Sequence, residues 1–307
     1  MRVAVTGASG FVGRHVSLAL AARGHHVVGF GTRAPDATTA ALPAYRRWDI
    51  TGDLDGAPVV DAVVHCAAHV TDWGDESRFR AVNVEGTRRV LATFPAARFV
   101  HVSTSSVYSD GVRAVRVRED APAGDCAHSA YARTKAAAER VVQSLAPDAV
   151  ILRPHAVYGP GDTTLVPRLL AARRFGRLCL PGDGTSRVSV TYVGNLALAV
   201  AAALERPAVS GIFNIADVES IDFGTLVRLV LRRSGLPDDV LFIPAPLARS
   251  LATLLEAAWR TGRLGGAPPL SRYVVKHLTA EHTLDITRAR DLLGYAPGWR
   301  IEDAAFA

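Results

Sequence analysis

The chain has 307 residues, 49% hydrophobic and 21% charged, with a formal net charge of +6. That length suits one large domain or two joined ones, and the balance suits a chain that buries a full core, which excludes extended disorder. The longest apolar run, Leu196–Leu204, is nine residues, far short of the ~20 that span a bilayer.

The opening MRVAVTG carries none of the parts of an export signal, so a cytoplasmic protein with no membrane partner is expected. The positive charge is not a nucleic-acid signature. Only Lys135 and Lys276 are lysines, and the arginines lie in scattered pairs such as Arg46-Arg47 and Arg232-Arg233, never in a block. Cys66, Cys126 and Cys179 are widely spaced and read as free thiols in a reducing compartment. No His/Cys cluster has zinc spacing, so no metal is expected; His65 and His69 fall on a strand and the loop after it.

In chain order the sequence predicts a strand at Arg2–Val5 and a helix over Phe11–Arg23, from the spacing of Phe11, Val12, Val16 and Leu20. Strands follow at His26–Phe30 and Asp61–Cys66, then a helix over Glu76–Phe94. A strand at Arg98–Ser103, a helix over Ser129–Leu145 and a strand at Ala149–Leu152 complete the series. Apolar strands separated by helices predict an α/β fold, a Rossmann-type doubly wound parallel sheet covered on both faces. Beyond about Arg153 proline and glycine crowd the chain, which predicts a smaller C-terminal α/β substrate-binding cap. The expected division is 1–155 plus about 187–216 for the dinucleotide-binding domain, and about 156–186 with 217–307 for the cap. In the cap, the apolar stripe Leu247, Leu251, Leu254, Leu255 and Trp259 is expected to face a core, with a substrate pocket as the alternative.

Two motifs carry chemistry. Between the first strand and helix lies Thr6-Gly7-Ala8-Ser9-Gly10-Phe11-Val12-Gly13. Glycines at such a turn let backbone N–H groups approach a pyrophosphate at a helix N-terminus. The spacing is G-x-x-G-x-x-G rather than the commoner G-x-G-x-x-G. The second motif is Tyr131-Ala-Arg-Thr-Lys135 on a predicted helix. Positions i and i+4 share a face, and an ammonium beside a phenol favours the phenolate, giving an acid/base group usable near neutrality.

With these two signatures the chain resembles the extended short-chain dehydrogenase/reductase family, which includes the NAD-dependent epimerases and dehydratases, over nearly its whole length. The resemblance implies that Gly7, Ser9, Gly10, Phe11, Val12 and Gly13 hold the pyrophosphate and that Asp49 and Ile50 meet the adenine. It implies that Ala67 and Ala68, ending the His65-Cys-Ala-Ala strand, line the cofactor, with Asn83 of Asn83-Val-Glu-Gly-Thr87 packed near it. In Val102-Ser-Thr-Ser-Ser-Val-Tyr108 it marks Thr104 as the third catalytic group beside Tyr131 and Lys135, and Ser103 as a cofactor contact. Pro154 and His155 match the segment that closes over the nicotinamide, although a small or amide-bearing residue is usual where His155 stands. His69, Ser105, His155 and Tyr192 are the expected substrate contacts.

Cofactor and substrate follow from finer features. The second strand ends in Gly31-Thr32-Arg33, with no carboxylate to repel a 2′-phosphate and a guanidinium able to pair with it. NADP(H) is therefore the expected cofactor, NAD(H) a possible one. Segments such as Val70-Thr-Asp-Trp-Gly74 and Thr191-Tyr-Val-Gly-Asn-Leu-Ala197 resemble the 3β-hydroxysteroid dehydrogenase-like branch. Nucleotide-sugar enzymes usually carry an acidic residue where Gly194-Asn195 stands and an Arg-Asp pair where Arg187-Val188 stands. The expected activity is interconversion of a ketone and a secondary alcohol on a largely apolar small molecule, by a homodimer. The alternative is a nucleotide-sugar epimerase or dehydratase with tightly bound NAD.

Overall fold

The computed structural model describes residues 1–301 apart from 72–73, 96, 110–113, 125–128, 164–172, 175–176 and 263–267. Cys126, Arg168 and the pair Asp72-Trp73 thus lie outside the described residues. The central sheet is built from β1 (Arg2–Thr6), β2 (His26–Gly31), β3 (Tyr45–Arg47), β4 (Ala62–His65), β5 (Arg98–Val102) and β6 (Val150–Pro154). The chain then forms β7 (Val157–Tyr158), β8 (Arg173–Arg174), β9 (Arg177–Pro181), β10 (Arg187–Val188) and β11 (Thr191–Tyr192). It closes with β12 (Gly211–Ile215), β13 (Ile221–Asp222) and β14 (Val240–Ile243).

Seven strands pair in the order β12-β6-β5-β4-β1-β2-β3, all parallel. This is a doubly wound Rossmann-like sheet, as the strand and helix periodicity predicts. Alternation sorts its side chains between two cores. Val3, Val5, Val64 and Leu152 meet the helices Phe11–Ala22 and Val193–Glu205 on one face. Ala4, Val63, Phe99 and Ile151 meet the helices Thr87–Thr93 and Ala130–Leu145 on the other. The order reverses between β1 and β4, the position at which doubly wound sheets bind ligands beyond their strand ends.

Three features differ from the sequence expectation. First, the short polar strand β3 was not anticipated; it is fixed by pairing with Gly29–Gly31 rather than by its own residues. Second, the helix predicted over Glu76–Phe94 is interrupted by a π-helical turn, Ala81–Gly86. Gly86 sits where any Cβ would fall 2.7 Å from Ile50 Cδ1, and Asn83 turns its amide inward from the widened turn. Third, the helix Ala245–Thr261 is rotated from its expected face: Leu247, Leu251 and Leu254 are exposed, while Ala248, Ala252 and Glu256 are buried. The small alanines let it lie close to Val275 of the helix Arg272–Thr279, and Glu256 accepts from the Arg272 N–H and Nε. Elsewhere the second lobe packs Tyr158, Leu178, Leu180 and Val190 against Phe223, Leu226 and Val230. Among the described residues no helix is long and apolar enough to cross a membrane.

Candidate active site

The glycine loop is shaped for something that approaches its backbone. Gly7 has φ +73°, and a Cβ there would lie 2.7 Å from the Ala67 nitrogen. At Gly13 a Cβ would fall 2.2 Å from the Gly7 carbonyl oxygen, so neither position tolerates a side chain. The Gly10 N–H donates to the Gly7 carbonyl and tightens the turn into the helix Phe11–Ala22. Ala8 and Ser9 are buried, and Phe11 and Val12 are half-buried at the helix start. This cradle, at the switch point and opening a helix, fits a dinucleotide pyrophosphate.

The end of β2 is equally defined. A Cβ at Gly31 would lie 2.3 Å from Ser9 Oγ and 3.0 Å from Tyr45 Oη, so a side chain there would have to displace the Ser9 hydroxyl. Thr32 and Arg33 are exposed just beyond, the Arg33 carbonyl accepting from Tyr45 Oη at 2.9 Å. Asp49 is exposed with Oδ1 accepting from Thr51 N and Oγ1, whereas Ile50 is buried against Gly86.

Behind the loop runs a buried chain of hydrogen bonds. The Thr87 hydroxyl donates to the Asn83 carbonyl at 2.7 Å, so it accepts from His65 Nε2 at 2.9 Å. His65 Nδ1 then accepts from the Thr6 hydroxyl at 2.6 Å. Burial and the Lys135 charge push the His65 pKa down to about 3, and burial followed by Lys276 pushes His282 down to about 4. Both rings are neutral when folded, and the unfolded chain takes up their protons as pH falls below the usual histidine value near 6.5. Stability is therefore expected to fall as pH is lowered through 6.5 toward those values, with His65 alone contributing about 3 kcal/mol of loss by pH 4. Urea unfolding at pH 7 and pH 4 measures this; a His65→Gln variant losing as much as wild type over that interval would refute it.

At the end of β5 the proposed chemical groups converge. Lys135, on the helix Ala130–Leu145, is 1% exposed, and its Nζ donates to the Val102 carbonyl at 2.8 Å and to His101 Nε2 at 3.1 Å. Burial pulls its pKa down to about 8, against the opposing pull of Glu139 and then Cys66. Tyr131, one turn earlier, is half-buried. Thr104 caps the short 3-10 helix Ser105–Val107, its Oγ1 accepting from the Ser106 N–H at 3.2 Å.

A buried ion pair fastens this strand end to the helix. Arg153 Nε and its terminal nitrogen meet the two Glu139 carboxylate oxygens at 3.0 and 2.6 Å. Ser103 Oγ donates to the same carboxylate at 2.5 Å, and the guanidinium lies 4.7 Å over the Tyr108 ring.

Several of the expected contact residues already have hydrogen-bond partners within the protein. Asn83 is buried with its amide spent on the His69 N–H, the His69 carbonyl and Thr134 Oγ1. The hydroxyl of Ser103 is spent on Glu139. Ser105 and His155 hold each other, Oγ to Nδ1 at 2.6 Å, and the His155 ring stacks on His282 with centroids 5.7 Å apart. Pro154 is buried at the end of β6 and Ala156, after His155, has φ +42°, so this segment bends sharply over the sheet. Ala67 and Ala68 are half-buried beside the glycine loop, His69 packs on Phe79 at 4.7 Å, and Tyr192 lies between Tyr158 and Trp299. The sequence reading missed Glu139, Arg153 as its partner, His101 and Thr134. A signal existed for two of them: Glu139 follows Lys135 by one turn, and His101 interrupts an apolar strand.

A parallel sheet with a glycine cradle at its switch point, together with a helix that bears a tyrosine and a buried lysine one turn apart, is the arrangement of a dinucleotide-dependent oxidoreductase. The family model of the NAD dependent epimerase/dehydratase family matches residues 3–216, and the chain belongs to that family, within the extended short-chain dehydrogenases/reductases. It is an NAD(P)-dependent oxidoreductase acting on CH–OH groups. The chain is 34% identical to a 2-alkyl-3-oxoalkanoate reductase from Stenotrophomonas maltophilia, covering 99% of this chain and 97% of that protein. It is 33% identical to a 3 beta-hydroxysteroid dehydrogenase/Delta 5-->4-isomerase from Mycobacterium tuberculosis, covering 99% and 88%. Among solved structures it is similar to the UDP-glucuronic acid 4-epimerase from Bacillus cereus in complex with NAD, with TM-score 0.72, 25% identity and coverage of 99% and 96%.

Proposed function

We propose that the protein interconverts a ketone and a secondary alcohol on a largely apolar small molecule, preferring NADP(H). The observation that carries this is the seat of Lys135, buried under the strand whose end bears Thr104, on the helix that bears Tyr131. In the reducing direction Tyr131 gives its phenolic proton to the carbonyl oxygen while Thr104 donates a second hydrogen bond to it. The charge left on Tyr131 is balanced by the Lys135 ammonium, which also meets the nicotinamide ribose. The bound dinucleotide supplies the hydride in this direction and accepts it in the other.

Gly7, Gly10 and Gly13 with Ser9, Phe11 and Val12 hold the pyrophosphate in this reading. Asp49 and Ile50 border the adenine, Thr32 and Arg33 the 2′-phosphate, and Ala67, Ala68, Pro154 and His155 the nicotinamide side. His69, Ser105, His155 and Tyr192 border the substrate, which the cap of about 156–186 and 217–307 covers, and the working unit is a homodimer.

A nucleotide sugar would require free arginines for its diphosphate. Arg187, where such enzymes carry the Arg-Asp pair, is spent on Ser220, its Nε meeting Oγ at 3.0 Å. Arg177 pairs with Asp239 at 3.0 Å. The Arg-Asp pair of such enzymes is also absent at Arg187-Val188, which supports the apolar ketone.

One experiment tests both halves of the proposal. Turnover of NADPH and NADH is followed against 2-alkyl-3-oxoacids, steroid-type ketones and UDP-sugars, in wild type and Arg33→Ala. We expect ketone reduction whose efficiency rises with apolar bulk, and an NADPH preference that falls about tenfold or more in Arg33→Ala. Conversion of UDP-sugars without reduction of any ketone would establish the epimerase instead. An NADPH/NADH ratio unmoved by the substitution would remove Arg33 from the cofactor site.

A further inference from the structure

We propose that His101 is a positioning residue for Lys135: its Nε2 accepts one N–H of the ammonium and so sets how the remaining donor meets the dinucleotide. The inference rests on the reading of Lys135 given above. His101 is wholly buried in β5, opposite His65 of β4 in register, with the two rings 5.2 Å apart. An ammonium has three donors and no acceptor. Two are taken, by the Val102 carbonyl at 2.8 Å and by His101 Nε2 at 3.1 Å. The nitrogen that accepts must be bare, so the His101 proton resides on Nδ1. That nitrogen is buried and has no hydrogen-bond partner among the described residues.

An orphaned N–H is costly inside a protein. Phenylalanine would fill the space between Val100 and Val102 without that cost, so packing alone does not account for a histidine here. What the histidine adds is its acceptor. The titratable groups around Lys135 are His101 and His65 from the sheet, Cys66 after β4, and on its own helix Tyr131 one turn before and Glu139 one turn after, the latter itself bound to Arg153. Among these only His101 hydrogen-bonds the ammonium. With Val102 it fixes two of the three donors along known directions, which leaves the third with no freedom to rotate away.

The chain's composition makes the test direct. With two lysines in the sequence, side-chain 13C-lysine labelling yields two signals, and Lys276→Arg assigns them. In the ligand-free protein Lys135 is expected to titrate near 8. Replacing His101 by Phe removes the acceptor and keeps the ring, which should lower that midpoint by about one pH unit, tenfold in the protonation constant. NADPH affinity should weaken about tenfold in parallel. His101→Gln, whose amide oxygen reaches the same place, should recover most of both. An unmoved midpoint, a moved midpoint with unchanged NADPH affinity, or a Gln variant no better than Phe overturns the proposal.

Should His101→Phe fail to fold, wild type still decides. 15N-histidine spectra must show His101 bare at Nε2 and protonated at Nδ1 at neutral pH, where Lys135 is charged; a protonated Nε2 overturns it. These readouts need no turnover. Failure of the Lys135 reading would show separately, as a Lys135→Met enzyme with full activity.

Discussion

Tyr131→Phe is expected to lower turnover by about 10²–10⁴-fold while dinucleotide affinity stays nearly intact. The substitution removes one oxygen and leaves the half-buried ring in place. Lys135 keeps its bonds to the Val102 carbonyl and His101, so the cation proposed to meet the ribose is undisturbed. What is lost is the proton that must reach the carbonyl oxygen as hydride reaches its carbon. Lys135→Met should differ in kind, because it removes the ribose contact and the charge that supports phenolate together; both affinity and turnover fall. Single-turnover reduction alongside calorimetric NADPH binding separates the two patterns. A Phe variant with wild-type turnover would end the proposed mechanism.

The second large effect is on stability. Breaking the Arg153–Glu139 pair by Arg153→Met is expected to destabilise the fold by about 3–5 kcal/mol, a sizeable part of the roughly 5–15 kcal/mol that holds a typical protein together. Both side chains are buried, at 3% and 4% exposure, so the orphaned carboxylate would keep only the Ser103 hydroxyl. The Tyr108 ring would lose its cation as well. Glu139→Leu combined with Arg153→Met should cost less than the single Arg153 change, because the carboxylate stranded by that change is gone. Urea denaturation of the two variants beside wild type measures the difference. If the double variant is no more stable than Arg153→Met, the cost does not come from the stranded charge.

Much of this architecture is readable from residue order because its determinants are local. The glycine loop announces itself through spacing between a strand and a helix, and each glycine answers a close approach by Gly7 or Ala67 backbone. Tyr131 and Lys135 are one helical turn apart. Other features are set by neighbours distant in sequence. The strand β3 has a polar sequence and exists because β2 offers it an open edge. The exposed leucines of the helix Ala245–Thr261 satisfy the same periodicity as a buried stripe, and only the fit of Ala248 and Ala252 against Val275 chooses between them. The carboxylate of Glu139 finds Arg153 across a whole strand, and His101 gains its meaning from a lysine on another element. Short-range pattern gives the frame, whereas buried polar partners are chosen by the packed sheet.

The placement of β12 affects how the chain is made. It is the outermost strand on its side of the sheet, paired to β6, yet 56 residues separate the two in sequence. A ribosome adding ~5–20 residues per second takes about 3–11 s to cross that gap. Throughout that interval the nascent sheet presents the apolar edge Val150–Pro154 unpaired, a template on which another chain can add a strand. Its helical cover, Val193–Glu205, emerges only shortly before β12 does. Crowding of nascent chains during fast expression therefore acts at this one edge, and slower synthesis at low temperature favours the intramolecular partner.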